Sequence, residues 1–188
     1  QIIDRKALDT GRITGILPVR GGTGLPVWML CGASDGPTLV LTAGVHGCEY
    51  VGIVTLRQLF ARLSPAQIRG RVILLPLVNG EGFYAGSKQV VPSDGKNINR
   101  VFPPPEEGTP AQEIARTVVE QIYPEADFLL DLHGGDVNEA MTPLVFYPAT
   151  AASDVTARAC EAAQHLEVMY RIPSTAKNGL YSYAAQCG

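Results

Sequence analysis

The residues with chemical potential begin at His46 and Glu49, three apart in the stretch GVHGCEYVG from Gly44 to Gly52. The apolar run TLVLTA (38–43) leads in, and the periodic segment IVTLRQLFARL (53–63) leads out. That order predicts strand, glycine-flanked turn and helix, with His46 on the turn and Glu49 on the first helical turn. An imidazole nitrogen and a carboxylate oxygen can then aim at one point. Zinc takes such ligands at about 2.0–2.2 Å. The third candidate ligand is His133, which follows the apolar run FLLDL and precedes two glycines. In an open α/β sheet, sites form outside the carboxyl ends of strands. If the strands before His46 and His133 are parallel neighbours, both imidazoles share one rim. Two His and one Glu leave a fourth position for water, the open arrangement of hydrolytic zinc sites. Taken alone, the same residues also fit ordinary polar positions in turns.

The elements that must hold them can be read in order. Gly11–Arg20 and Leu25–Cys31 predict two short strands, joined as a hairpin through Gly21–Gly24. Ser34-Asp35-Gly36-Pro37 is a turn signal, and 38–43 reads as a strand buried on both faces. Ile53, Leu56, Leu59, Phe60 and Leu63 form one helical stripe, which Ser64-Pro65 stops. Arg71–Asn79 predicts the next buried strand, with Pro76 near its end. Gly80–Gly108 reads as a long, glycine-rich, polar connection. Such a length inside a compact domain points to function. Thr109-Pro110-Ala111-Gln112-Glu113 opens a second helix, with Thr109 as N-cap and Ile114, Val118 and Ile122 as its buried stripe. Pro124 ends it, and 126–132 is the strand that delivers His133. A strand at 143–147, a helix at 152–166 and a strand at 167–172 follow. Strands alternating with helices give an α/β three-layer sandwich with a mixed, largely parallel sheet. His165 reads as structural or exposed.

Composition narrows the functional classes. The 188 residues suggest one domain. With 46% hydrophobic and 18% charged residues, the chain reads as globular. A formal net charge of −3 with dispersed basic residues favours neither nucleic acid nor an anionic membrane. Cys31, Cys48, Cys160 and Cys187 form no CxxC pair. Reduced thiols and a cytoplasmic setting follow as the expectation. A homo-oligomer stays open.

The long connection carries SDGKNINRVFPP (93–104), in which Asn99 and Arg100 are adjacent. A guanidinium can hold a carboxylate bidentately, and an amide beside it adds a donor. Locally, a solvated Arg pairing with Asp94 or Glu106 fits as well.

Three motifs now stand in order: H-x-x-E (His46, Glu49), N-x-N-R-x-F-P (Asn97 to Pro103) and D-L-H-G (Asp131 to Gly134). Together they resemble the succinylglutamate desuccinylase/aspartoacylase family of the zinc carboxypeptidase superfamily. The resemblance implies that His46, Glu49 and His133 bind one zinc per chain and that Asn99 and Arg100 hold a substrate carboxylate. It implies hydrolysis of an amide in an N-acyl amino acid or related acidic amide by metal-activated water, with a glutamate as general base and acid. Two positions depart from the pattern. Asn97 stands where the family commonly has Asp. Lys88 is the nearest basic residue to the upstream Arg that usually supports the carbonyl oxygen, and it lacks the forked geometry. The family's catalytic glutamate lies on a later strand, farther from the third ligand than Glu139. Glu139, Glu161 and Glu167 are not assigned that role, and the residue is expected beyond Gly188. Residues 1–188 are therefore expected to form a zinc-hydrolase catalytic domain that continues, with a further β-rich segment. The alternatives are a zinc carboxypeptidase acting on peptides, a metal- or ligand-binding module without turnover, and a cysteine hydrolase using Cys48, which would need an activating partner.

Overall fold

A β-hairpin opens the part of the chain that the computed structural model describes, residues 10–188. Residues 1–9 of the expected 1–188 domain lie outside it. Strands β1 (Gly11–Leu17) and β2 (Leu25–Cys31) pair antiparallel from Gly11↔Cys31 to Leu17↔Leu25. Strand β3 (Ser34–Ala43) leads to helix α1 (Tyr50–Arg62), and β4 (Arg69–Leu75) returns beside β3. Helices α2 (Gly80–Ala85) and α3 (Pro110–Gln121) precede β5 (Phe128–Leu132). Strand β6 (Leu144–Pro148), helix α4 (Ser153–Gln164), β7 (Tyr170–Ser174) and α5 (Leu180–Cys187) complete the order.

The main sheet runs β1-β2-β4-β3-β5. Its β3 is parallel to both β4 and β5, while β2 is antiparallel to β4. Strands β6 and β7 form a separate parallel pair. Side-chain alternation sorts the main sheet into two cores. Val27, Met29, Val40, Ile73 and Leu75 face Ala111, Ala115, Val118 and Ile122 on the α3 side. Leu30, Leu41, Ala43, Val72 and Leu74 face Leu56 of α1, flanked by Ile53, Leu59, Phe60 and Leu63. The sheet is thus mixed, with helices on both faces, the layered solution that buries both sides of its central strands. Four free cysteines are present. Among the described residues no helix is long and apolar enough to cross a membrane.

Several boundaries differ from the sequence reading, each for a local reason. The turn signal at 34–37 is absorbed into β3, whose pairing with β4 shifts register between Ser34 and Thr38. Strand β4 ends at Leu75 because Pro76 has no N–H for the ladder. The 80–108 connection is not structureless. It holds α2, a bridge from Val91 to Lys96 and a 3-10 turn at Ile98–Arg100, and it buries Val91, Ile98 and Phe102. Asn79 caps α2 by accepting from Gly82 N at 2.8 Å, and Gly86 closes it at φ 66°. Strand β7 starts at Tyr170, three residues later than expected. In α3 the expected capping box is present, with Thr109 and Gln112 as its partners. Val118 and Ile122 are buried as expected, while Ala111 and Ala115 occupy the centre and Ile114 its margin.

Candidate metal centre

Two strand ends build the site. Ala43 and Leu132 are paired across β3 and β5. Gly44, at φ 65°, turns the chain out of β3. His46 and Glu49 follow in a turn closed by Glu49 N donating to His46 O at 3.3 Å. His133 directly follows β5. The two histidines therefore stand on one rim of neighbouring parallel strands. Glu49 is the N-cap of α1, one position before the first helical turn where the sequence placed it. Its side chain makes no capping hydrogen bond; it faces the histidines instead. Gly47 packs where a Cβ would stand 2.3–2.7 Å from the Gly82–Phe83 backbone, so α2 presses against this turn. From the other side, Val137 N donates to Cys48 O at 3.1 Å and ties the loop after His133 to it.

The three side chains converge. His46 Nδ1 lies 2.7 Å from Glu49 Oε1, and His133 Nδ1 lies 2.7 Å from Glu49 Oε2. One nitrogen from each ring and one carboxylate oxygen fit within 4.8 Å of one another. Gly134 N also donates to Glu49 Oε2 at 3.3 Å. The far nitrogens are held separately: His46 Nε2 by Asn97 Oδ1 at 3.3 Å and His133 Nε2 by Asp131 Oδ2 at 2.8 Å. Asp131 in turn accepts from Thr42 Oγ1 at 2.6 Å. Acceptors at both Nε2 atoms leave each Nδ1 as the nitrogen that faces Glu49 and that a metal would take in place of a proton. This is how proteins orient metal-ligating histidines, and the donor set of two imidazoles and one carboxylate fits zinc.

Electrostatics follow the contacts. Burial raises the Glu49 carboxyl, but hydrogen bonds from His133 and His46 outweigh it and hold the group at about 2. Burial lowers the His133 imidazolium, but the charge and hydrogen bond of Asp131, with those of Glu49, raise it to about 10. The metal-free pocket therefore sets the Glu49 carboxylate against a His133 that holds its proton, and a divalent cation can replace that proton.

The other candidates lie at different distances from this centre. Asn99 reaches it: Nδ2 is 3.4 Å from His133 Nε2, and Oδ1 accepts from Leu180 N at 2.7 Å. Arg100 is exposed and donates to Asn99 O at 2.7 Å. Of its alternative partners, the Asp94 carboxylate is engaged by Lys96 N and Ala111 N. Lys88 Nζ stands 3.5 Å from Asp136 Oδ2 and 3.6 Å from Glu139 Oε1, so its charge is shared with the loop after His133. Cys48 is buried, with Tyr50 OH donating to its sulfur at 3.8 Å. Glu161 and Glu167 are exposed, and His165 is the exposed C-cap of α4. Sequence reasoning assigned no role to Asp131 or Thr42. The signal for Asp131 was its spacing: residues two apart on a strand share a face, so Asp131 and His133 belong together.

Known proteins resemble this chain in sequence and fold. The model for the succinylglutamate desuccinylase/aspartoacylase catalytic domain matches residues 35–187. The N-alpha-acetyl-L-2,4-diaminobutyric acid deacetylase of Halomonas elongata is 36% identical over 138 residues, which are 73% of this chain and 40% of that protein. The solved succinylglutamate desuccinylase/aspartoacylase from Rhodobacter sphaeroides superposes with a TM-score of 0.79 at 30% identity, covering 97% of this chain and 57% of that one. The product-bound ectoine utilization protein EutE (DoeB) from Ruegeria pomeroyi gives 0.81 at 28% identity, covering 98% and 57%. A putative metallopeptidase from Shewanella amazonensis, at 23% identity and a TM-score of 0.66, shares the fold. The chain spans about half the length of these first relatives. Its match across residues 35–187, on a fold whose rim gathers His46, Glu49 and His133, makes it a member of the succinylglutamate desuccinylase/aspartoacylase family.

Proposed function

We propose that this chain is the catalytic part of a zinc-dependent hydrolase that cleaves the amide bond of an N-acyl amino acid or a related carboxylate-bearing amide. The observation that carries the reading is the convergence of both Nδ1 atoms on the two oxygens of Glu49, each at 2.7 Å. Family membership and the deacetylase relative support the reaction class.

His46, Glu49 and His133 would hold the zinc, which would supply a Lewis acid for the scissile carbonyl and lower the pKa of water. The remaining work falls to this chain's own groups. Asp131 and Asn97 keep the Nε2 protons in place and so hold the two rings in orientation. Arg100 and the Asn99 amide take the substrate carboxylate, with the exposed guanidinium fork supplying the charge. Lys88 is the candidate for supporting the scissile carbonyl oxygen, a role for which its ammonium would have to leave Asp136 and Glu139. Glu139, Glu161 and Glu167 are given no general-base role.

The test is an assay of the full-length zinc-loaded protein on N-acetylated diaminobutyrate, N-acylated glutamate and aspartate, and a panel of dipeptides. Release of free amino acid from an N-acyl substrate, abolished in His46→Ala, is the expected result. Cleavage confined to peptides would replace the reading with a carboxypeptidase. Binding of zinc and ligand without turnover would replace it with a non-catalytic module.

A further inference from the structure

Gly179 occupies a position whose backbone does not require glycine. Its φ of −100° and ψ of 171° are extended and open to any residue. What excludes a side chain is space. A Cβ there would stand 2.7 Å from Asn99 Oδ1 and 3.3 Å from both Asn99 Cγ and Ser182 Oγ. The Asn99 amide fills that place because Oδ1 accepts from the N–H of Leu180, the first residue of α5, at 2.7 Å. The junction is fixed on every side. Gly179 N donates to Ser182 Oγ at 2.9 Å, and Tyr183 N donates to Gly179 O at 2.8 Å. Tyr123 OH donates to Leu180 O at 2.5 Å, and Phe102 N donates to Asn178 O at 3.3 Å. Leu180 and Ser182 are fully buried.

This junction sets which way the amide points. An N–H donor at Leu180 requires the carbonyl end of Asn99 to face α5, so the NH2 end faces the opposite way. There it lies 3.4 Å from His133 Nε2, whose own hydrogen goes to Asp131 Oδ2 at 2.8 Å. The NH2 thus has one long contact, to a ring nitrogen that Asp131 already holds more closely. A donor whose other end is fixed by Leu180 N and whose own contact is long has hydrogen-bonding capacity left for an anionic oxygen of a bound substrate.

We propose that Gly179 and Leu180, at the start of α5, are positioning residues that lock the Asn99 amide with its NH2 toward the carboxylate of an N-acyl amino acid. The assignment rests on the hydrolase reading for the ligand, but not for the geometry.

The experiment uses full-length zinc-loaded protein and the variants Gly179→Ala, Asn99→Ala and the double variant. Zinc content and melting temperature serve as controls, and 15N spectra follow the Asn99 side-chain NH2 and the Leu180 amide. Gly179→Ala is expected to shift the Asn99 NH2 resonance and expose the Leu180 amide to exchange while zinc content stays constant. For whichever N-acyl amino acid is cleaved, KM is expected to rise about tenfold with kcat nearly unchanged, the loss of one hydrogen bond to a charged group. In the Asn99→Ala background the same substitution is expected to add nothing, because both act through one amide. An unchanged resonance and KM, or an equal effect in both backgrounds, overturns the proposal. If Gly179→Ala does not fold, Leu180→Pro removes the same N–H at a helix position that accepts proline, and the Asn99 NH2 resonance and KM decide in the same way. A wild type that cleaves no N-acyl amino acid sinks the hydrolase reading, while the spectra still decide the geometry.

Discussion

Asp131 on β5 and His133 directly after the strand meet side by side: the Asp131 carboxylate lies 2.8 Å from the ring nitrogen opposite the one that meets Glu49. Asp131 is 1% exposed and anchored by Thr42 on the neighbouring strand, so it cannot swing away from the ring. It fixes the His133 tautomer and makes the imidazole a stronger base. Asp131→Asn keeps the shape and removes the charge. Zinc affinity, measured by competition with a chelator, is expected to fall about 10- to 100-fold, the usual cost of losing such a partner. Unchanged affinity would remove Asp131 from the site.

Zinc uptake is expected to release protons. In the metal-free chain His133 is raised to about 10, so at neutral pH it holds a proton that the metal must displace. Calorimetry in buffers of different ionisation enthalpy is expected to report about one proton released per zinc at pH 7.5. Affinity then weakens as pH falls. The same shift carries a stability term of opposite pH sense: because the folded pKa lies above the unfolded one, the stabilisation of the metal-free chain is complete below about 6.5 and lost as pH rises through about 10. Denaturant midpoints of metal-free protein across that range are the check.

Arg100 is expected to act on substrate binding alone. Arg100→Lys keeps the charge but loses the fork, so KM for an N-acyl amino acid is expected to rise about tenfold or more while zinc content is unchanged. A fall in zinc content would place Arg100 in the metal centre instead.

Leu56 provides a test of the α1 packing that carries Glu49. It is fully buried between α1 and the sheet. Leu56→Ala is expected to cost about 2–5 kcal/mol of stability by urea unfolding, with zinc stoichiometry of the folded fraction preserved. Loss of zinc binding without loss of stability would contradict the packing role.

What was legible in the sequence depended on range. His46 and His133 could be placed because apolar runs ending in glycine-rich turns mark strand ends, and Ala43 does pair with Leu132. The Thr109–Gln112 capping box was readable for the same local reason. Helix α2 was hidden because Gly80, Gly82 and Gly86 read as loop, although Asn79 and Gly86 are its caps. The FLLDL run reads as an apolar strand, and nothing in it tells that β5 is at the edge of its sheet with Phe128 38% exposed. Alternation reports side-chain character, not which neighbours are present. The Asn99–Leu180 bond joins residues 81 apart in sequence, a pairing that exists only once α5 is docked on the 98–102 segment.

The most direct test of the central claim is the metal content of the purified protein and of His46→Ala, Glu49→Gln and His133→Ala, by elemental analysis after zinc loading. The expected result is about one zinc per chain in the wild type, a single closed set of ligands, and substantially less in all three folded variants. Folded variants that retain wild-type zinc, or a folded wild type that takes up none, would contradict the metal centre and with it the hydrolase.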